Sequence, residues 1–366
     1  MPPPSLISRL STDDLVPLLD GDPDLFLLDV REPDEVAEWH ISGAHNIPLD
    51  QLDDRYEEVP SQDHIVVICA KGLRAQQGAE ILARHDVASA VLDGGMSSWT
   101  STYDVVEGQF GGATIVQLRR RGKGCLSYVI GAGTNCVVID PSLNLERYLK
   151  VAQRHGWTIS NVLDTHLHAD HISGARNLVA ETGATLWLNP ADPYEFEFSH
   201  LKDGGRFELA PGIHLAVSSV SVPGHTEGST MYQLGEVAVF TGDTLFLESV
   251  GRPDLADQAE HFAHDLYRSL HERILPLGDA TLVFPAHYGS VVDVHAGQFV
   301  TRPLGDLRST LPALALQEGE FVAWAIKNVK DRPPNYQRIV RINAGQEPAT
   351  QDAAEIELGP NRCAIA

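Results

Sequence analysis

Seven side chains of metal-ligating type stand out by where they fall. His166, His168, Asp170 and His171 occupy one six-residue run, and His225, Asp243 and His287 follow at wider intervals. Residues two apart do not share a helix face, but a loop leaving a strand can turn several side chains to one point. Each position has that setting. The run follows the apolar Val162–Asp164, His225 lies in Pro-Gly-His-Thr after a strand ending at Val222, Asp243 lies in Thr-Gly-Asp-Thr after Val237–Thr241, and His287 lies in Pro-Ala-His-Tyr-Gly after Leu282–Phe284. Imidazole and carboxylate together suit zinc or iron. A single loop histidine is an ordinary surface residue, but five histidines and two aspartates at strand ends beside Gly or Pro turns have no packing explanation.

A second reactive position is Cys69. It ends the apolar run Ile65–Cys69 and opens the loop Cys69-Ala70-Lys71-Gly72-Leu73-Arg74, with a helix expected over Ala75–Arg84. In a strand–loop–helix turn, successive amides and the helix N-terminus face the first loop residue and favour an anion there. With Lys71 and Arg74 nearby, the thiol is expected to have a lowered pKa and to be a nucleophile; the plainer alternative is a buried structural cysteine.

The elements that must carry these groups form two textures. Leu25–Val30, Ile65–Cys69 and Ala90–Leu92 are short apolar runs alternating with helix, the pattern of a parallel sheet. Residues 101–112 read as a linker. After it come Cys125–Ile130 and Cys136–Asp140, joined by a Gly-Ala-Gly-Thr-Asn hairpin signal, and strands at Thr185–Leu188, His214–Val222 and Val237–Thr241. Helices are expected at Leu145–Arg154, Ser173–Thr182, His261–Ile274 and Glu320–Val329. The expectation is an α/β domain over residues 1–105 and an α+β sandwich with a C-terminal extension over 106–366.

The net charge is -23, with 20 acidic and 6 basic side chains in residues 1–105. Nucleic acid and anionic membrane both reward Lys/Arg patches, so neither is an expected partner. No apolar stretch is long enough to span a bilayer. The beginning of the sequence has no basic segment leading into an apolar one, so a secretory signal is not expected. Four cysteines match neither a zinc finger nor a disulfide framework and point to a reducing cytoplasm. Cys125, Cys136 and Cys363 read as core or loop thiols, with a place near the substrate open for Cys363.

Thr165-His166-Leu167-His168-Ala169-Asp170-His171 resembles the signature of the metallo-β-lactamase fold, and His225, Asp243 and His287 match its later ligands in order. The resemblance implies an αββα sandwich with metal at one edge. Gly251-Arg252-Pro253-Asp254, Ala286-His287-Tyr288-Gly289 and Pro360-Asn361-Arg362-Cys363 are similar to the persulfide dioxygenase family. That resemblance implies one Fe(II) held by His166, His225 and Asp243. His168, Asp170, His171 and His287 would then stand outside the ligand set or hold a second metal, and Arg252 and Tyr288 would contact the thiol carrier. Asp29-Val30-Arg31-Glu32, Trp39 through Ala44, Asn46-Ile47-Pro48 and Asp93 through Trp99 resemble a single rhodanese domain, and the six-residue loop from Cys69 matches the sulfurtransferase form. There Cys69 would carry a persulfide, assisted by Arg74. Arg332-Pro333-Pro334-Asn335-Tyr336 is similar to a tail of rhodanese-linked dioxygenases.

Together these imply oxidation of a low-molecular-weight persulfide by O2 to sulfite and thiol, with sulfur transfer to or from thiosulfate at Cys69, in a homodimer. The alternative is a glyoxalase II-like thioester hydrolase with two zinc ions and an accessory rhodanese domain.

Overall fold

The computed structural model describes residues 6–60, 64–202, 204–219, 221–255, 258–289, 294–329, 332, 335–349, 353–359 and 361–365. Pro333, Pro334 and Pro360, which carry part of two of the resemblances, lie outside the described residues. The chain forms two compact units, one within residues 6–104 and the other taking in most of the chain from Val105 on.

The first unit is built on a five-stranded parallel sheet. Its strands run in the spatial order Ile7–Leu10, Ser89–Leu92, His64–Ile68, Leu25–Asp29 and His45–Asn46. Successive residues of a strand face opposite sides, and both sides are apolar here, which explains the unbroken hydrophobic runs. Leu28, Val67 and Val91 pack with Ala75, Ala79 and Leu82 of the helix Leu73–Arg84. Leu27, Val66, Ile68 and Leu92 pack with Leu15, Val16, Met96 and Trp99 on the other side. The helix starts two residues earlier than expected, because Gly72 caps it with φ of 94°. Cys69 follows the central strand directly, at the carboxyl edge where parallel sheets place their ligands.

In the second unit, the segment expected as a linker contains the strand Tyr103–Phe110. It is the last strand of its sheet, and Val105, Glu107 and Gln109 are exposed while the residues between them are half-buried or buried, so the polar residues that read as linker lie on its outer face. Gly111 and Gly112, at φ of 57° and 85°, turn the chain into the next strand.

That sheet has seven strands: Ser199–His200, Thr185–Leu188, Thr158–Leu163, Asn135–Ile139, Cys125–Ala132, Ala113–Arg120 and Tyr103–Phe110. A second sheet has six: Arg206–Ala210, Ile213–Ser219, Met231–Leu234, Ala238–Gly242, Leu282–Pro285 and Arg302–Pro303. Ile115, Tyr128, Ile130 and Ile139 of the first pack with Phe207, Tyr232, Phe240 and Phe284 of the second. The alternate residues Val116, Val129 and Val138 pack outward with Tyr148, Val151 and Leu178 of the helices Leu145–His155 and Ala175–Thr182. The helix Ala259–Arg268 runs on through Ser269–Ile274 with wider π turns, and with Glu318–Lys327 it adds Ala263, Leu266, Leu270, Phe321 and Ala325. The result is the expected αββα sandwich. Among the described residues no helix is long and apolar enough to cross a membrane.

One glycine fixes the Cys69 loop. Gly95 has φ of 56°, and a Cβ there would stand 2.1 Å from the carbonyl oxygen of Cys69. The amides of Met96 and Ser97 donate to Cys69 O at 2.9 Å and Ala70 O at 3.0 Å. Replacing Gly95 by Ala therefore adds a clash with backbone to a left-handed strain. Gly95→Ala is expected to destabilise the first unit by roughly 2–4 kcal/mol, seen as an earlier first transition in urea unfolding with the second unit unchanged.

Candidate functional site

The ligand-type residues leave both sheets at one edge of the sandwich. His166 through His171 follow the strand Thr158–Leu163, Asp243 follows Ala238–Gly242, and His287 follows Leu282–Pro285. All seven are at most 3% exposed.

Three of them meet. His166 Nε2 lies 3.6 Å and His225 Nε2 3.4 Å from Asp243 Oδ2, and none of these three atoms has a hydrogen-bond partner. The surrounding bonds assign their protons. His166 Nδ1 lies 2.9 Å from Thr165 Oγ1, whose own hydrogen goes to Asp140 Oδ2 at 2.9 Å, so Nδ1 donates and Nε2 is bare. His225 Nδ1 donates to the carbonyl of Arg252 at 3.0 Å, which leaves its Nε2 bare as well. Asp243 Oδ1 accepts from His287 Nδ1 at 2.6 Å, and Oδ2 is left over. Burial, followed by the neighbouring His168, holds His166 well below the usual histidine pKa; burial lowers His225. Asp243 stays ionised because His287 and His166 outweigh its burial. Two lone pairs and a carboxylate oxygen thus face one another in a buried space, an arrangement that a cation would stabilise. Ligand atoms about 2.1 Å from one ion stand at about these separations.

The other four behave differently. Asp170 Oδ1 accepts from His171 Nδ1 at 3.0 Å, and Asp170 Oδ2 stands 2.9 Å from His287 Nε2 at an angle outside hydrogen-bond geometry. Burial lowers the pKa of both imidazoles, but the Asp170 carboxylate outweighs it and holds them well above the usual histidine value. Asp170, His171 and His287, with Cys125, also place ligand-type atoms within 4.8 Å of one another. His168 turns its Nε2 to Asp140 Oδ1 at 3.2 Å and groups with Asp140 and Asp164.

Cys125, expected as an ordinary core thiol, joins this second set, with Sγ 3.5 Å from Asp170 Oδ2 and 4.0 Å from His171 Nδ1. Burial and Asp170 push the thiol up, but His287 and His171 outweigh them and bring it to about 7. Cys363 groups with Asp243 and His287, and burial raises it well above an ordinary thiol. Cys136 lies away from the site, pushed up to about 12 by burial. No local sequence signal marks Cys125: its neighbour His287 comes from a distant strand, bridged to it through the backbone.

Arg252 is 1% exposed and binds Asp254 through Nε at 2.7 Å and Nη2 at 3.0 Å, while Nη1 donates to Arg362 O. Its carbonyl is the group that orients His225. Tyr288 is buried in the main core, and its amide donates to Gly124 O at 3.0 Å. In the first unit, the Gly72 amide donates to Cys69 Sγ at 3.1 Å. Arg74 places both terminal nitrogens on Glu35 at 2.7 Å, and holds that carboxyl down at about 2, so its charge is shared with Glu35 as well as with the loop.

Asn343, on the helix Tyr336–Ala344, is a positioning residue absent from the sequence reading. Its amide nitrogen donates to the carbonyls of His168 and His171 at 2.9 and 2.8 Å, and its oxygen accepts from Ser173 N at 2.9 Å. Asn343→Ala would take a partner from three backbone groups, the two carbonyls buried and the Ser173 amide half-buried. It is expected to cost roughly 1–3 kcal/mol in unfolding of the second unit and to speed metal loss to a chelator, both measured against wild type.

The rhodanese-like domain family matches residues 11–102, and the metallo-beta-lactamase superfamily matches residues 120–287. Human "Persulfide dioxygenase ETHE1, mitochondrial" is 30% identical over 203 residues, covering 54% of this chain and 74% of that protein. A hydroxyacylglutathione hydrolase of Methylococcus capsulatus is 35% identical over 160 residues, 43% of this chain and 58% of the hydrolase. The crystal structure of ETHE1 from Myxococcus xanthus superposes with a TM-score of 0.56 at 27% identity, over 63% of this chain and 98% of that one. The chain belongs to the metallo-β-lactamase superfamily and carries a rhodanese-like domain ahead of its metallo-β-lactamase domain.

Proposed function

We propose that the chain is an iron-dependent persulfide dioxygenase coupled to sulfur transfer at Cys69. The observation that carries this reading is the contrast between the two halves of the metal loop region. The facing acceptors of His166, His225 and Asp243 call for one ion, whereas the Asp170 carboxylate is bonded to His171 and lies 2.9 Å from His287 Nε2, a set whose charges offset one another. The similarity to persulfide dioxygenases over most of their length supports the same choice.

Fe(II) held by two imidazoles and a carboxylate would supply open positions for a persulfide sulfur and for O2, and a path for electrons from sulfur to oxygen. The chain's residues prepare that site. Thr165 and the Arg252 carbonyl fix which nitrogen each imidazole presents, His287 occupies the other oxygen of Asp243, and burial keeps bulk water from competing for the open positions. Tyr288, next to His287, is the side chain proposed to meet the thiol carrier, and Arg252 acts through His225. The net reaction takes a persulfide, O2 and water to thiol, sulfite and two protons: sulfur is oxidised and O2 is reduced.

Cys69 handles the same sulfur without a net change of oxidation state in the chain. A persulfide on Cys69 passes its outer sulfur to sulfite; the S–S bond breaks, the new bond makes thiosulfate, and the Cys69 thiolate is released. Read in reverse, Cys69 takes sulfur from thiosulfate and hands it to a low-molecular-weight thiol. The amide of Gly72 steadies the thiolate in either direction, and Arg74 braces the loop through Glu35.

A dinuclear thioester hydrolase is the second reading, favoured by the retention of all seven ligand-type residues and by the likeness to a hydroxyacylglutathione hydrolase. Protein purified without oxygen separates the two. The dioxygenase is expected to hold about one iron per chain and to consume O2 with glutathione persulfide, yielding sulfite or thiosulfate, with both lost when a chelator strips the metal. Two zinc ions per chain and thioester cleavage without O2 uptake would sink it. Cys69→Ser should abolish thiosulfate formation yet leave O2 uptake within about twofold of wild type; loss of both would show that the two chemistries share one essential thiol.

A further inference from the structure

Asp140 governs both histidines of the metal loop, and in different ways. It adopts φ of 52°, a left-handed conformation that aspartate tolerates better than most residues other than glycine. Both carboxylate oxygens are committed: Oδ1 accepts from the Thr165 amide at 2.7 Å and Oδ2 from the Thr165 hydroxyl at 2.9 Å. Through that hydroxyl it sets the tautomer of His166. The same Oδ1 lies 3.2 Å from His168 Nε2. A carboxylate oxygen accepts protons, so Nε2 is the N–H of His168 and Nδ1 is bare.

That bare nitrogen is buried and has no hydrogen-bond partner. The His168 ring stands 4.2 Å from the His166 ring, centroid to centroid. Even so, His168 does not enter the group in which atoms of His166, His225 and Asp243 all lie within 4.8 Å of one another; its own group is Asp140 and Asp164. A fourth strong donor is therefore kept beside the centre and out of it.

We propose that Asp140 sets the metal preference of this centre by holding His168 outside the ligand set. The inference rests on the single-ion reading of His166, His225 and Asp243. Most nitrogen and oxygen sites bind zinc more tightly than Fe(II), so a site that takes iron must work through ligand number and geometry. Three protein ligands leave Fe(II) three open positions of six, whereas a third imidazole would complete the four-coordinate shell that zinc favours. Asp140 is a rigid strut for this purpose, because its backbone conformation and both oxygens are fixed by contacts other than His168.

The test compares wild type with His166→Ala, His168→Ala, Asp140→Ala and the Asp140→Ala/His168→Ala pair. All are produced with equal Fe(II) and Zn(II) and purified without oxygen. Bound metal is measured by mass spectrometry, and imidazole ligands are counted by X-ray absorption of the zinc-loaded proteins. His168→Ala is expected to keep wild-type metal content and iron-to-zinc ratio within about twofold, while His166→Ala loses the metal. Asp140→Ala should raise the zinc-to-iron ratio about tenfold and add one imidazole to zinc, and the double variant should lose the added imidazole and most of the gain in zinc, with any remainder due to the Thr165–His166 contact. If Asp140→Ala does not accumulate, Asp140→Asn takes its place, since one amide oxygen cannot serve the Thr165 amide, the Thr165 hydroxyl and His168 together. Wild type holding one ion that is lost in His168→Ala would overturn this inference alone, as would an unchanged ratio in the Asp140 variants. Two ions in wild type, one of them lost in His168→Ala, would overturn the single-ion reading as well.

Discussion

Asp243 Oδ2 faces two imidazole nitrogens in a buried space, and none of the three atoms has a hydrogen-bond partner among the described residues. Without a cation the three acceptors would be buried and mutually repulsive. Much of the second unit is arranged so that this condition is met. Three neighbouring groups are occupied elsewhere: the Thr165 hydroxyl is bonded to Asp140, His287 Nδ1 holds the other oxygen of Asp243, and the Arg252 carbonyl takes the proton of His225. The unfavourable arrangement is kept in place by hydrogen bonds around it, which is how a protein builds affinity for an ion into its folded state.

The elements that carry the centre come from both sheets, so the core between the sheets sets its geometry. Tyr232, on one sheet, donates to the carbonyl of Asp164 at the end of a strand in the other, and Thr230 N donates to Thr165 O. Gly242 approaches Thr165 so closely that a Cβ would lie 2.7 Å from its hydroxyl. Asn343 brings the helix Tyr336–Ala344 into the same task by holding two carbonyls of the His166–His171 loop. A change of a few tenths of an ångström in the sheet packing would therefore be felt at the metal, since close-packed interiors transmit strain.

The first unit solves a different problem with a different device. There the reactive group is a single sulfur at the carboxyl edge of a parallel sheet, and what it meets is a backbone amide and a loop clamped by the helix Gly95–Trp99. Arg74 contributes through its pair with Glu35 more than through a free charge. In the proposed function the two devices divide the work by chemistry: the metal centre changes the oxidation state of sulfur, and the thiol moves sulfur without changing it.

The residue types and their strand-end settings were legible in the sequence, and so were the parallel sheet, the sandwich and the strand–loop–helix turn at Cys69. These follow from periodicity, turn residues and local backbone preferences, which act over a few residues. The strand at Tyr103–Phe110 was not legible, because an edge strand with one exposed side reads as polar loop until its partner strand is known. Nor was the way the seven ligand-type residues divide, with acceptors of His166, His225 and Asp243 facing one another, Asp170 set against His171 and His287, and His168 turned to Asp140. The roles of Asp140, Cys125 and Asn343 were equally hidden. Each depends on which atom of one residue comes within about 3 Å of an atom far away in the chain, and hydrogen-bond pairing at that scale is set only when the two sheets and the helix Tyr336–Ala344 have packed. The sequence by itself determined what the site is made of; the tertiary structure decided which lone pairs are left unpaired, because only packing brings distant donors and acceptors close enough to satisfy some of them and strand the rest.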